Sequence, residues 1–315
     1  MKVLITGGAG FIGSALANRL AADGHHVRVV DDLSAGDRGR LDERVVFSSG
    51  DIRDVPKLWS LLSGVDCVYH LAARVSVPES VLYPVEYNDT NVGGTVSLLT
   101  AARDAQVKRL VFTSSGAVYG DQDEQPVRED AALHPATPYA VSKMASEQYV
   151  LAIGQLWGLE TVILRIFNAY GPGQPLPPSH APVVPRFLKQ VASGGSVVIF
   201  GQGCQTRDFV YIDDVVDALV RAGQATGVDR AILNVGSGVE VSIGELLDTI
   251  ERASGLEAHR LHNGTEKVGV SRLVADIRRA RERLAFAPRV SLADGLRLTL
   301  ERDPRFVRPT EHTPR

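Results

Sequence analysis

The chain has 315 residues, of which 44% are hydrophobic and 23% charged, and its formal net charge is −3. This composition is typical of a globular protein with a large core, and the length fits two domains or one α/β domain with an attached lobe. The near-neutral charge gives no support for a nucleic-acid partner, and no apolar run approaches the roughly 20 residues that span a membrane. The two cysteines are too few for a disulfide framework or a metal cluster, so we expect unpaired thiols, no metal and a cytoplasmic location.

The first 32 residues have the order strand, glycine turn, helix, strand, acid. A strand is predicted over 2–5, a helix over 14–23 and a second strand over 27–30. Gly7, Gly10 and Gly13 allow a tight turn close to a pyrophosphate, which the helix N-terminus then receives. Asp31 ends the second strand, where a carboxylate binds a ribose 2′-hydroxyl and repels a 2′-phosphate. The unit predicts a dinucleotide site that prefers NAD to NADP, and Asp32 strengthens this preference.

The same alternation continues along the chain. Further strands are predicted over 45–47, 67–70, 110–112, 161–164, 197–200, 207–213 and 232–235, and helices over 55–62, 87–105, 139–156, 183–194, 214–222, 243–253, 276–284 and 292–300. Asp213, Ser242 and Ser291 are expected to cap three of these helices, and Glu245 completes a capping box. Strands and helices that alternate in this way predict a parallel sheet with helices on both faces. The tail from Asp303 is expected to fray.

A possible catalytic group lies in the helix predicted over 139–156. Tyr139 and Lys143 are four residues apart and share one helix face, so the ammonium should lower the pKa of the phenol. Such a phenol can take a proton from a sugar hydroxyl while a hydride leaves the same carbon. Ser115 follows a predicted strand, and its hydroxyl should lie where open α/β sheets bind ligands. Taken alone, a Tyr–Lys pair of this spacing is more often a surface contact, so the prediction depends on the surrounding motifs.

Eight sequence blocks together are typical of one family. They are TGGAGFIG at 6–13, DDLSAG at 31–36, HLAA at 70–73, NVGGT at 91–95, SSGAVYG at 114–120, YAVSK at 139–143, RIFNAYGPGQ at 165–174 and RDFVYIDDV at 207–215. Over residues 1 to about 300 the chain resembles the extended short-chain dehydrogenase/reductases, and within them the UDP-hexose 4-epimerases. The resemblance implies an α/β Rossmann fold with a doubly wound parallel sheet and a smaller C-terminal α/β lobe that binds substrate.

The resemblance also implies domain boundaries and an assembly. The NAD-binding domain would span 1–166 with 209–235 returning to it, and the nucleotide-sugar lobe would comprise 167–208 and 236–302, followed by a tail at 303–315. In the relatives, helices that correspond to 87–105 and 139–156 form a four-helix interface. We therefore expect a homodimer.

Roles for individual residues follow from the same resemblance. Tyr139 would be the general base, Lys143 would lower its pKa and hold the nicotinamide ribose, and Ser115 would hydrogen-bond the reacting O4. The residues implied to bind NAD are Gly7, Gly10, Phe11, Ile12, Gly13, Asp31, Asp32, Ser34, Gly36, Asp51, Ile52, Leu71, Ala72, Ala73, Asn91, Ser114, Tyr139, Lys143 and Phe167. Those implied to bind a UDP-sugar are Arg74, Ser115, Tyr139, Asn168, Val184, Phe187 and Arg207, with Lys267 and Arg272 as candidates. For Arg207 the alternative is a salt bridge with Asp208 or Asp213.

One position favours epimerisation within the family. The related dehydratases and decarboxylases carry a Glu before Val-Tyr-Gly, whereas this chain has Ala117, and a methyl group cannot transfer the protons that elimination needs. Oxidation at C4 and re-reduction on the other face need no further group. The chain departs from the epimerase pattern at Ile166, Val75 and the segment 266–270. The sugar is left open among UDP-glucose or galactose, their N-acetyl forms and UDP-glucuronate, and a keto-sugar reductase or a non-catalytic NAD-binding protein are the alternative functions.

Overall fold

The computed structural model describes residues 1–264 and 270–306 of the chain. The strands are β1 (Lys2–Thr6), β2 (His26–Asp31), β3 (Val46–Ser49), β4 (Cys67–His70), β5 (Arg109–Ser115), β6 (Glu160–Ile166), β7 (Asn168–Tyr170), β8 (Ser196–Phe200), β9 (Thr206–Arg207), β10 (Phe209–Tyr211), β11 (Ala231–Val235), β12 (Val241–Ser242), β13 (His259–Asn263) and β14 (Arg272–Leu273). The α-helices are α1 (Phe11–Ala22), α2 (Val55–Leu62), α3 (Val77–Leu82), α4 (Pro84–Tyr87), α5 (Gly94–Asp104), α6 (Pro138–Trp157), α7 (Val183–Ala192), α8 (Ile212–Gln224), α9 (Ile243–Ser254), α10 (Arg278–Leu284) and α11 (Leu292–Arg302).

Seven parallel strands form the main sheet, in the order β11-β6-β5-β4-β1-β2-β3. Six consecutive residues of β6 are buried, as expected for a strand that is covered on both faces. The register aligns the carboxyl ends of the central strands, since Thr6 lies opposite His70 and Ser115 lies opposite Ile166. Side chains at these ends are therefore brought to one edge of the sheet.

Helices cover both faces of this sheet. On one face, α1 and α8 pack together through side chains that include Leu16, Leu20 and Leu219. On the other, α2, α5 and α6 bury a second apolar cluster that includes Leu62 and Leu98. The doubly wound α/β fold predicted from the sequence is confirmed.

The rest of the described chain forms a smaller α/β lobe. It contains the pairs β10-β7 and β13-β8, the three-stranded sheet β12-β9-β14, and the helices α7, α9, α10 and α11. Ser242 and Ser291 cap α9 and α11, and Glu245 completes the capping box, as predicted.

The single strand predicted over 207–213 is wrong. The chain forms two strands in different sheets, separated at Asp208, whose buried carboxylate accepts hydrogen bonds from the backbone N–H groups of Ser237, Gly238 and Ala275. The next residue after β10 already begins α8, so Asp213 lies inside its first turn and does not cap it. Local sequence could not show this because the partners of Asp208 come from distant segments.

Two further predictions need correction. The helix expected over 87–105 is interrupted by a π-helical segment at Asn88–Gly93, between α4 and α5. The tail is not frayed at its start, since the Asp303 carboxylate accepts the Gly173 N–H at 2.8 Å and Phe306 is buried. Residues 307–315 lie outside the described part of the chain.

Candidate active site

The glycine turn after β1 leaves no room for side chains. Gly7 has a φ of +67°, and a Cβ there would lie 2.6 Å from the Ala72 nitrogen. A Cβ on Gly13 would lie 2.1 Å from the Gly7 carbonyl oxygen. Gly10 precedes α1, and no side chain caps this helix, so its first-turn N–H groups can receive an anion. The turn fits the pyrophosphate of a dinucleotide, and Phe11 and Ile12 flank it half-buried.

The acid at the end of β2 is held rigidly. The buried Asp31 carboxylate accepts the N–H groups of Ala9 and Leu33, at 3.0 and 2.9 Å. A Cβ on Gly36 would come within 2.8 Å of Asp31 Oδ1. The exposed Asp32 instead accepts the backbone N–H and the hydroxyl of Ser34. Asp31 thus lies beside the glycine turn, where the ribose of a bound dinucleotide would lie.

Two predicted cofactor residues follow β3. Arg53 pairs with Asp51 through its Nε and Nη2 atoms and holds the pKa of that carboxyl below its usual value. Ile52 is buried against Gly94, where a Cβ would lie 2.3 Å from Ile52 Cδ1. The structure therefore places Ile52 between the sheet edge and the first turn of α5.

The segment after β4 forms the wall opposite the glycine turn. Leu71, Ala72 and Ala73 are half-buried, and the Leu71 N–H donates to the Thr6 carbonyl. The buried Asn91 side chain accepts the Arg74 N–H at 2.8 Å and donates to the Arg74 carbonyl at 3.0 Å. Asn91 therefore holds this wall through its side chain.

Ser115, Tyr139 and Lys143 meet at the carboxyl end of β5. Ser115 is the last residue of β5, and its hydroxyl interacts with the Tyr139 phenol. Tyr139 and Lys143 are both buried on α6, and the Lys143 ammonium donates to the Thr113 carbonyl at 2.9 Å. It also lies 5.0 Å from the centre of the Phe112 ring. The structure thus brings together the three residues predicted to be catalytic.

The expected effect of Lys143 on the pKa of Tyr139 remains a prediction, because burial dominates that pKa in the ligand-free protein. Burial raises the pKa of Tyr139, and the hydrogen bond with Ser115 opposes that rise only in part. The Lys143 ammonium is hydrogen-bonded to the Thr113 carbonyl. Burial also lowers the pKa of Lys143, to about 8, and the negative charge of Glu147 opposes this shift. The phenolate therefore needs a further positive charge in the site.

Two other predicted residues border this group. Ser114 is buried, and its Oγ has no hydrogen-bond partner in the described part of the protein. The Phe167 ring lies against Gly116, 3.3 Å from the position of a Cβ there. An unpartnered hydroxyl, a glycine turn without room for side chains and an acid at the end of β2 are together what a bound NAD requires, so the residues fit this cofactor.

The predicted substrate residues of the lobe are placed differently from one another. Arg207 is half-buried, and its guanidinium donates only to the Thr206 carbonyl, without an ion pair in the described chain. Burial lowers its pKa. The alternative salt bridge is wrong because the backbone occupies Asp208 and Arg302 lies 3.5 Å from Asp213. Arg207 is thus a half-buried cation without an ion-pair partner among the described residues, and the nearby Asp121 only partly opposes the lowering of its pKa.

Three other candidates have side chains that already make contacts within the protein. Arg272 forms a two-pronged ion pair with Glu240, at 2.7 and 2.8 Å. Val184 and Phe187 are 3% and 0% exposed in the core, because the apolar face of α7 packs inward. The binding of substrate by these three residues remains a prediction. Lys267 lies outside the described residues, whereas Asn168 and Arg74 are exposed.

The sequence did not single out Arg186. Its Nε is buried without a hydrogen-bond partner, and its guanidinium lies 5.9 Å from the Phe200 ring. A single arginine on an amphipathic helix has no sequence signature. Arg186 stands out only because no counter-charge pairs with it among the described residues. Among the described residues no group of acidic, histidine or cysteine side chains could hold a metal ion.

Comparisons with known proteins agree with this geometry. The model of the NAD-dependent epimerase/dehydratase family matches residues 3–236. A UDP-glucose 4-epimerase of Mycolicibacterium smegmatis is 42% identical over 96% of this chain and 98% of its own. The structure of the Thermotoga maritima UDP-glucose 4-epimerase with UDP-glucose superimposes with a TM-score of 0.91 at 35% identity, over 96% of this chain and 98% of that one. The Thermus thermophilus UDP-glucose 4-epimerase in complex with NAD gives 0.87 at 33% identity, over the same shares of the two chains. With its glycine turn, its Ser–Tyr–Lys group and these relatives, the chain belongs to the NAD-dependent epimerase/dehydratase family.

Proposed function

We propose that the protein interconverts UDP-sugars that differ at C4, with NAD as its cofactor. The observation that carries this proposal is the meeting of Ser115, Tyr139 and Lys143 at the sheet edge that holds the glycine turn. The structural relative that contains UDP-glucose shares the fold over nearly the full chain. Ala117 stands beside this group and has no acid or base to offer, which favours epimerisation over elimination.

Each residue then has one task. Tyr139 takes the proton of the C4 hydroxyl, and Ser115 aligns that oxygen through a hydrogen bond. Bound NAD would supply a reversible hydride acceptor, and the positive charge of its oxidised form would favour the phenolate. Lys143, which donates to the Thr113 carbonyl near the end of β5, would hold the nicotinamide ribose. Return of the hydride to the opposite face of C4, and of the proton from Tyr139 to O4, would complete the inversion after the keto sugar has turned.

Arg207 is proposed to bind the diphosphate. Leaving a guanidinium half-buried without an ion-pair partner among the described residues costs free energy, and a phosphate supplies a counter-charge with matching geometry. Arg272, the other arginine predicted to bind substrate in the lobe, already forms an ion pair with Glu240. UDP-glucose and UDP-galactose are the substrates we favour, because the relatives compared above carry that activity in their names.

Incubation of the purified protein with UDP-glucose labelled with deuterium at C4 tests this function. We expect conversion to UDP-galactose with the label retained, because the hydride leaves C4 and returns to it. Product analysis by NMR and mass spectrometry measures both the conversion and the retention of the label. Washout of the label into solvent would show proton abstraction from carbon, and accumulation of NADH would show a net oxidation; either would contradict the proposal.

The cofactor preference can be tested at Asp31. Replacing Asp31 by Ala removes the carboxylate that would hold the ribose and also the acceptor for Ala9 and Leu33. We expect weaker NAD binding and a smaller preference for NAD over NADP, measured by titration of the cofactor-free protein. The change Asp32→Ala is the matched comparison and should have the smaller effect. Equal affinity of the unchanged protein for NAD and NADP would show that Asp31 does not select the cofactor.

A homodimer is proposed from an exposed apolar surface. Val81, Leu82 and Val85 on α3 and α4 are more than 60% exposed, and these helices pack beside α6. On α6, Tyr149 and Leu156 are 45% and 77% exposed and point to one side of the helix. A patch of this kind is typical of an interface. A second copy of the chain would cover it.

Placing charges in this surface should separate the subunits. The double change Tyr149→Glu with Leu156→Glu should yield monomers at micromolar concentration, because two carboxylates would lose water on association. Light scattering measures the mass, and Val46→Glu, an exposed apolar position on the distant edge strand β3, is the control. A monomeric mass for the unchanged protein would refute the dimer.

Domain boundaries and location remain proposals. We propose an NAD-binding domain over 1–166 and 209–235 and a substrate lobe over 167–208 and 236–302. The return of the chain is supported by β11, which pairs with β6 in the main sheet. No helix among the described residues is long and apolar enough to cross a membrane. The cytoplasm is proposed from the two unpaired cysteines, of which Cys67 is buried and Cys204 exposed.

A further inference from the structure

A buried histidine lies at the centre of a hydrogen-bond chain beside the candidate site. His70 ends β4 and is 1% exposed, with its ring against Phe112. Its Nδ1 lies 2.7 Å from Thr6 Oγ1, and its Nε2 lies 2.9 Å from Thr95 Oγ1. The chemistry assigned above to the Ser–Tyr–Lys group makes no use of this residue.

The neighbours of His70 indicate which atom donates each hydrogen bond around its ring. The Thr95 hydroxyl donates its one proton to the Asn91 carbonyl at 2.5 Å, because a carbonyl can only accept. The contact between Thr95 and His70 must then be donated by the ring, so Nε2 carries a proton. The neutral ring leaves Nδ1 bare to accept the Thr6 hydroxyl, and Thr6 Oγ1 in turn accepts the Ala72 N–H at 3.2 Å.

The same hydrogen-bond partners disfavour a positively charged His70 ring. A proton on Nδ1 would have to be donated to Thr6 Oγ1, and the Thr6 hydroxyl would then lose its acceptor. Complete burial and the nearby Lys143 ammonium both disfavour a positive charge, and they lower the pKa of His70 to about 3. Lys143 is the one charged group that contributes to this shift. His70 is therefore neutral, and Lys143 remains the cation of this part of the site.

The series of hydrogen bonds continues from His70 to α6, the helix that carries Tyr139. Asn91 lies in the π-helical segment, and its side chain binds the backbone of Arg74 and donates to Ser142 Oγ at 2.9 Å. The Ser142 hydroxyl donates to the Tyr139 carbonyl at 2.8 Å. One connected set of bonds thus joins the wall beside the glycine turn to the first turn of α6.

We propose that His70, as the neutral Nε2–H tautomer, is a positioning residue that sets the catalytic helix relative to the cofactor wall. This role rests on the proposed epimerase function. Its action is indirect. His70 is hydrogen-bonded to Thr95, and Thr95 to the Asn91 carbonyl. The Asn91 side chain in turn is hydrogen-bonded to Arg74 and Ser142. An error of about 1 Å between a base and its substrate can cost about 10²-fold in rate, so loss of this connection should reduce turnover more than binding.

The tautomer is tested first, in the unchanged protein with NAD bound. Nitrogen-15 NMR of the histidine rings should show His70 with a protonated Nε2 and a bare Nδ1, without titration between about pH 5 and pH 9. The signal is assigned by its absence from His70→Asn. A protonated Nδ1, or titration in this range, would overturn the proposal whatever the enzymatic activity.

Thr95 provides the kinetic test with a matched control. Thr95→Val keeps the shape of the side chain but removes the acceptor for His70 and the donor to Asn91. We expect kcat for UDP-glucose to fall by about 10-fold or more with KM nearly unchanged, and Thr95→Ser to restore kcat. A purely structural role would lower the melting temperature of Thr95→Val but leave its kcat per folded molecule intact, and that result would overturn the proposal.

The two proposals can fail separately. If the unchanged protein does not convert UDP-glucose to UDP-galactose, the proposed function fails, whereas the tautomer experiment still decides the state of His70. If the enzyme is active and Thr95→Val has the turnover of the unchanged protein, the positioning role alone is refuted.

Discussion

Replacing Tyr139 by Phe should reduce turnover by about 10²-fold or more, the usual contribution of a general base, while the fold and the bound NAD are retained. The ring of Tyr139 is buried on α6, and Phe keeps its packing and removes only the hydroxyl. Because burial raises the pKa of this phenol in the ligand-free protein, the phenolate should form only when the cofactor is bound. Initial rates with UDP-glucose and the absorbance of released NAD measure the two effects.

The companion variants separate the roles within the group. Ser115→Ala should also lower kcat, because it removes a hydrogen bond that strengthens as charge develops on O4. Lys143→Met should lower kcat and weaken NAD binding together. The control is Tyr83→Phe, the same change at a half-exposed tyrosine outside the site. Turnover of Tyr139→Phe equal to that of the unchanged enzyme would assign the base to another residue.

The largest effect on stability is expected at a buried ion pair one helical turn beyond Lys143. Glu147 is completely buried on α6, and Arg165 at the end of β6 binds it through two nitrogens, at 3.0 and 2.7 Å. Arg165 also donates to the Tyr119 hydroxyl at 2.9 Å, and that hydroxyl donates to Asn234 on β11. The pair thus joins α6 to β6 and β11 of the main sheet and to the segment after β5 that carries Tyr119.

Replacing Arg165 by Met should lower the free energy of unfolding by about 3–5 kcal/mol, since Glu147 would be left as an unpaired buried charge. Urea unfolding of the protein with NAD bound measures this change. The double variant Glu147→Leu with Arg165→Met is the matched control and should recover much of the loss, because it removes both charges. A loss below about 1 kcal/mol in the single variant would show that water or a rearranged neighbour solvates Glu147.

The sequence predicted the parts of the fold that depend on neighbouring residues. The first βαβ unit, the helix α2 and the capping box of α9 occur at or near the predicted positions, because strand and helix periodicity and capping are local properties. The predictions failed where distant segments intervene. Asp208 ends a strand early because its carboxylate binds the backbone of residues 237, 238 and 275.

For the candidate site, the sequence by itself determined which side chains are present and along which strand ends they lie. The tertiary structure decided their electrostatic state. Burial, a property of the whole fold, raises the pKa of Tyr139 although Lys143 lies one turn away. Arg272 is paired with Glu240 and Arg207 is not, which the sequence could not show because the pairing depends on how separate strands of the lobe meet. The neutral tautomer of His70 likewise follows from two threonines on other elements, since only spatial neighbours determine where a buried ring carries its proton.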